Sequence, residues 1–73
     1  MDPEYKWAWY NKGSTLYDQG KYDEANQAFD EAIRLKLDSW APWLVKSLAL
    51  DALGSTTEAD AALSKAKELG YDG

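Results

Sequence analysis

Trp9 and Trp43 stand 34 residues apart, and the residues around them recur at the same offset. Gly13 pairs with Ser47, Leu16 with Leu50, Gly20 with Gly54, Glu24 with Glu58, Ala25 with Ala59, Phe29 with Leu63, Ala32 with Ala66 and Leu35 with Leu69. Residue size is kept across a whole period, and a fixed period of this length marks a repeat architecture built from one supersecondary unit.

Breakers divide each unit into two helical segments. Asp2 is placed to cap the first helix and Pro3 to occupy its first turn, where a missing N–H is harmless. Gly20 stops that helix, and Ala25, Ala28, Phe29, Ala32, Ile33 and Leu35 follow at helical spacing with Asp and Glu opposite. A third segment begins after Asp38-Ser39 and stops at Gly54. Ser55 and Glu58 have the spacing of a capping box for the fourth, which ends before Gly70. These signals predict helices over 3–18, 22–36, 40–53 and 56–69. Connections of a few residues make consecutive helices antiparallel.

The first copy reads Trp9, Lys12, Gly13, Leu16, Ala25, Phe29 and Leu37, and the second reads Trp43, Lys46, Ser47, Leu50, Ala59, Leu63 and Tyr71. On these residues the chain resembles the tetratricopeptide repeat family over nearly its full length. The family pattern is Trp, two residues, Leu-Gly, two residues, Tyr, then Ala, three residues, Phe, and finally Pro. Small residues at Gly13, Ala25, Ala32, Ala59 and Ala66 carry most of the likeness, because helices approach closely only where side chains are small. The departures are Lys12 and Lys46 for Leu, Leu16 and Leu50 for Tyr, Ser47 for Gly, and Leu37 and Tyr71 for Pro.

The resemblance implies an all-α fold, two antiparallel hairpins stacked as a short right-handed superhelix or α-solenoid. One domain would span 1–73, with repeats over about 6–39 and 40–73. Packing between helices would fall to Trp9, Gly13, Leu16, Ala25, Phe29 and Ala32 in the first copy and to Trp43, Ser47, Leu50, Ala59, Leu63 and Ala66 in the second. Asp2-Pro3-Glu4-Tyr5 matches the linker that precedes a repeat of this family, which makes the chain an expected fragment of a longer array, excised or engineered. Lys67 stands where Ile33 stands in the first copy and marks a terminal repeat with a soluble outer face.

Composition narrows the function. At 73 residues a single core gives only about 3–5 kcal/mol of net stability, so tight helix packing or a partner is expected. A net charge of −5 disfavours nucleic acid and anionic membrane surfaces. No apolar run approaches the roughly 18–20 residues needed to span a bilayer, and no signal peptide is evident. The expected compartment is the cytoplasm. Cysteine and histidine are absent, and the acids are spread over helix faces without the oxygen-ligand alternation of a calcium loop. Neither catalysis, nor a cofactor, nor a metal site is expected.

A protein or peptide partner is the remaining reading, and two surfaces are candidates. Trp7 and Trp9 lie about 200° apart on a helix, so they cannot share a face. Trp7, Tyr10, Ser14 and Tyr17 form a second stripe, which in the family lies on the concave, peptide-binding side together with Leu44 and Leu48. The alternative is that Trp7 and Tyr10 pack against an upstream repeat. The Lys, Asn and Arg clamp with which some members hold a terminal carboxylate has no counterpart at Tyr10, Ser14, Leu44, Val45 or Leu48, so peptide contacts would be apolar and aromatic.

The third helix is apolar nearly all round, which predicts burial on more than one side. Its neighbours account for the face of Trp43, Ser47 and Leu50. Trp40, Leu44, Val45 and Leu48 are then left for a second copy, with Trp40 and Leu48 central, and a homo-oligomer is the leading expectation. Peptide capture is the competing use. A third arrangement follows from Lys36-Leu37, which replaces the usual stop: a continuous helix over 36–43 would exchange hairpins between two molecules. Pro42 opposes it, since within a helix its ring would clash with the carbonyl of Asp38 at a cost of about 3 kcal/mol.

Overall fold

The computed structural model describes residues 5–35 and 39–72, with side chains described from Trp7 onward. The expected cap at Asp2 and Pro3, and the joint residues Lys36, Leu37 and Asp38, lie outside the described residues. Four helices follow in order: α1 (Tyr5–Asp18), α2 (Tyr22–Arg34), α3 (Ala41–Ala52) and α4 (Thr56–Glu68), with no strand among the described residues. α1 packs on α2 and α3 on α4, forming two hairpins. α2 packs on α3 to stack them, and α1 touches α3 only lightly. The result is an all-α, solenoid-like stack in which α1 and α3 run side by side in the same direction.

The turns within the hairpins repeat as the sequence does. Gly20 N–H donates to the Tyr17 carbonyl at 2.9 Å and Lys21 N–H to the Leu16 carbonyl at 2.9 Å. At the equivalent place Gly54 N–H donates to Asp51 at 3.0 Å and Ser55 N–H to Leu50 at 2.9 Å. The two glycines have φ of +80° and +82°, the left-handed conformation in which this paired bonding satisfies last-turn carbonyls and reverses the chain. This geometry overturns the capping box expected at Ser55 and Glu58: Ser55 makes no side-chain cap bond. Its own N–H, which Glu58 would have accepted, is already given to Leu50.

On either side of residues 36–38 the joint is bent rather than helical, as Pro42 favours, and the alternative of a continuous helix over 36–43 is excluded. Leu35 sits in a turn, its N–H on the Glu31 carbonyl at 3.0 Å, while Ser39 and Trp40 form a bend. Ala41 N–H donates to Ser39 Oγ at 3.2 Å, and Pro42 lies in the first turn of α3, where it has no intrahelical bond to lose. The hairpin exchange that such a helix would require has no support in this arrangement.

The core is small and built largely from alanine: Ala25, Ala28 and Ala32 on α2, Ala49 on α3, and Ala59, Ala62 and Ala66 on α4, with Phe29, Pro42 and Leu50 as its large members. Gly13 is also buried, whereas Trp9, Leu16, Trp43 and Leu63 are half-buried at its margins. A Cβ on Gly13 would lie 2.5 Å from Phe29 Cε1, so this crossing admits no side chain. Ser47 is the repeat counterpart of Gly13, as Leu63 is of Phe29, and its hydroxyl donates to the Leu44 carbonyl at 2.6 Å.

The lysines at the family's Leu positions have a physical role. Lys12 Nζ lies 5.1 Å from the centre of the Trp9 ring and Lys46 Nζ lies 5.7 Å from that of Trp43. Each ammonium lies over the ring of a tryptophan one turn earlier, attracted by its negative face. Lys46 also pairs with the Asp30 carboxylate across α2 and α3. Asp30 therefore helps to join the hairpins, rather than belonging only to a solvated face.

Candidate functional site

Helix α3 has three faces, and tertiary packing assigns two of them. Trp43, Ser47 and Leu50, spaced i, i+4, i+7, form the stripe turned to α4, with Trp43 packed on the Leu50, Ala59 and Ala62 cluster. Pro42, Lys46, Ala49 and Leu53, spaced i, i+4, i+7, i+11, form the stripe turned to α2. Pro42 and Ala49 are buried, Lys46 reaches Asp30, and Leu53 lines a hollow with Tyr22. Sequence reasoning missed this second covered face, for which Ala49 was the signal: a small residue on an apolar helix permits a close neighbour.

The third face carries Leu44, Val45 and Leu48. Leu44 and Val45 are half-buried and Leu48 is 42 % exposed. Trp40 does not join them freely. Its ring stacks on Tyr71 with centres 5.0 Å apart, so the segment after α4 covers part of it and leaves 38 % exposed. Tyr71, read from sequence only as a replacement for proline, has this covering role.

The α1 aromatics are placed at different depths. Trp7 is 43 % exposed and meets the Tyr10 ring edge-on at 5.4 Å. Tyr10 leans on Phe29 at 6.0 Å and so belongs partly to the core. Tyr17 packs edge-on against Tyr22 at 5.2 Å, within the first hairpin. Ser14 is half-buried.

Where α1 and α3 run side by side, Ser14, Tyr17 and Asp18 meet Val45 and Leu48 over the floor of Phe29, enclosing a notch of about 130 Å³. Residues expected in two separate roles, the peptide groove and the self-association face, are thus brought onto one surface. Asp18 was not among the expected residues. Two larger open clefts, about 680 and 410 Å³, lie along the hairpins beside Trp9 and Trp43. They occupy equivalent positions in the two copies and are lined by the same Trp, Lys and Leu of the repeat, so they follow from repeat geometry.

Electrostatics on the outer side are local. Arg34 donates to Glu31 through Nη2 at 2.7 Å and Nε at 3.1 Å, and this hydrogen bond, with the added Coulombic attraction, holds the Glu31 carboxyl below its usual range. Among the described residues no group of three or more acids, histidines or cysteines is placed to hold a metal ion. No described helix is long and apolar enough to cross a membrane.

Stacked antiparallel hairpins on a 34-residue unit, joined through small residues, define the class of α-helical repeat proteins. Residues 7–38, the first hairpin, match the family model described as Tetratricopeptide repeat. The second hairpin, beyond the matched span, carries the same elements at the same offset. Comparison with curated proteins and with solved structures gave no match.

Proposed function

We propose that the chain is a non-catalytic protein-interaction module whose contact surface is the face shared by α1 and α3. The match of residues 7–38 to the tetratricopeptide repeat model supports the general role, since such repeats generally mediate protein–protein interactions. The observation that carries the specific reading is the notch of Ser14, Tyr17, Val45 and Leu48, with exposed Leu48 on its rim and exposed Trp7 two turns from Ser14 on the same stripe of α1. Large apolar groups at such positions lose the most water on association.

The test is selection of displayed peptides on the wild-type chain, followed by binding to Leu48→Asp and to Ala61→Asp on the outer side of α4. The reading requires loss of binding with Leu48→Asp and retention with Ala61→Asp. Selected peptides that bind Leu48→Asp as tightly as wild type would refute it.

A second reading makes another copy of the chain the occupant. It is favoured by the continuous apolar stripe of Leu44, Val45 and Leu48, which has Trp40 at its start and would pair with itself about a two-fold axis. Sedimentation without ligand then shows mass rising with concentration, and Val45→Asp and Leu48→Asp shift it toward monomer with helix content kept. A chain that stays monomeric to roughly millimolar, where a contact of about −4 kcal/mol is visible, excludes this occupant.

A further inference from the structure

The notch between α1 and α3 is lined by residues near the carboxyl ends of both helices. Asp18 lines the notch there, and Asp51 lies one turn beyond Leu48 on the exposed side of α3, about 4.5 Å further along the axis. Both side chains are exposed, and neither makes an ion pair. The helix ends add to this charge. α2 and α4 place Arg34, Lys65 and Lys67 in their last turns, whereas α1 and α3 have no basic residue in theirs. The partial negative charge at the end of each aligned dipole is therefore uncompensated by side chains on the side where the two carboxylates sit. Of the nearby cations, Lys46 is committed to Asp30, and Lys21 lines the separate hollow with Asp23, Glu24 and Leu53.

We infer that the occupant of this face is an amphipathic protein segment that seats an apolar side chain at the Val45–Leu48 notch and places lysine or arginine against Asp18 and Asp51. This inference rests on the α1/α3 face being the contact surface, and it adds the charge of the partner. Charge disfavours a second copy as occupant: the chain has net charge −5, and the described part of this face contains no cation for a twin to offer. An acidic segment is disfavoured for the same reason.

The experiment measures fluorescence anisotropy of three short labelled peptides, alternating leucine with arginine, with serine or with glutamate, added to the full chain. The variants are Asp18→Asn/Asp51→Asn, Leu48→Ser, and Asp60→Asn/Glu68→Gln as a control for net charge on α4. Circular dichroism of each variant confirms retained helix. The expected result is preferential binding of the leucine–arginine peptide, weakened by added salt. Asp18→Asn/Asp51→Asn should weaken it about three- to tenfold, as expected for two exposed charge contacts, and bring it level with the serine peptide. The α4 control should leave it unchanged. Equal binding of the arginine and serine peptides, both lost in Leu48→Ser, overturns the cationic preference while sparing the contact surface. An equal loss from the α4 control also overturns it, by reducing the attraction to net charge. Arginine-peptide binding unaffected by Leu48→Ser, or no binding by any peptide, removes the contact surface itself as well.

Discussion

Gly13 and Phe29 are one decision made by two residues. The phenyl ring fills the space a Cβ would need, and in the second copy the pair becomes Ser47 and Leu63, with a larger residue on one side and a smaller one on the other. Gly13→Ser should therefore destabilise the chain by roughly 1–3 kcal/mol through overpacking against a fully buried ring. Phe29→Leu should also destabilise alone, through the volume it removes. The double variant should lose less than the sum, with a coupling of about 0.5 kcal/mol or more, because leucine makes room for the serine Cβ. Urea unfolding of the four chains measures the cycle, and strict additivity would separate the two positions. Sequence alignment of the two copies already displayed this exchange, yet only the 2.5 Å approach explains its direction.

At the scale of elements, helix ends matter more than helix interiors. Gly20 and Gly54 have open space around them, so replacing either by alanine creates no clash, and any loss comes from the backbone alone. The left-handed φ predicts a cost of about 1–2 kcal/mol for Gly20→Ala or Gly54→Ala, read as a lower denaturant midpoint with an unchanged slope. Within α2, the Glu31 carboxyl is held low by Arg34, so the folded state binds its proton less readily than the unfolded chain. The resulting stabilisation is fully present above the usual carboxylate range and is lost as pH falls through the lowered folded value. Glu31→Gln should flatten this acid limb of the stability curve slightly and leave stability at higher pH with the same dependence as wild type. An acid limb as steep as that of wild type would place the responsible carboxylate elsewhere.

The whole molecule is a stack whose two ends and two sides have become different. α4 presents Thr56, Asp60, Ser64 and Lys67 where α2 has Tyr22, Asn26, Asp30 and Ile33, so the surface that receives α3 in the first hairpin is largely polar in the second. End-to-end growth by adding copies is thereby disfavoured, and association, if it occurs, should use the α1/α3 face. Light scattering over a concentration series should show monomer or a closed dimer and no progressive growth. Restoring the apolar stripe with Lys67→Ile should promote larger assemblies if stacking of repeats is limited by this residue; unchanged mass would show that other polar positions on α4 suffice.

The fold was legible because it depends on local rules repeated twice. Glycine at positive φ, small residues at helical spacing and the proline in the first turn of α3 marked the helices, and their order was readable with ends off by no more than two residues at α2, α3 and α4. The break before Pro42, where Ser39 Oγ accepts the Ala41 N–H, was legible for the same reason. The candidate site was less so. Which side of α3 stays open depends on α2 covering Pro42 and Ala49, on Tyr71 reaching Trp40, and on α1 bringing Asp18 beside Val45 and Leu48. None of these is a periodicity in one segment. Each is a meeting of residues far apart in the chain, so the sequence by itself determined the helices, their stacking period and the open apolar stripe of Leu44, Val45 and Leu48, and only the tertiary structure decided that Tyr71 covers part of Trp40 and that Asp18 lies beside that stripe.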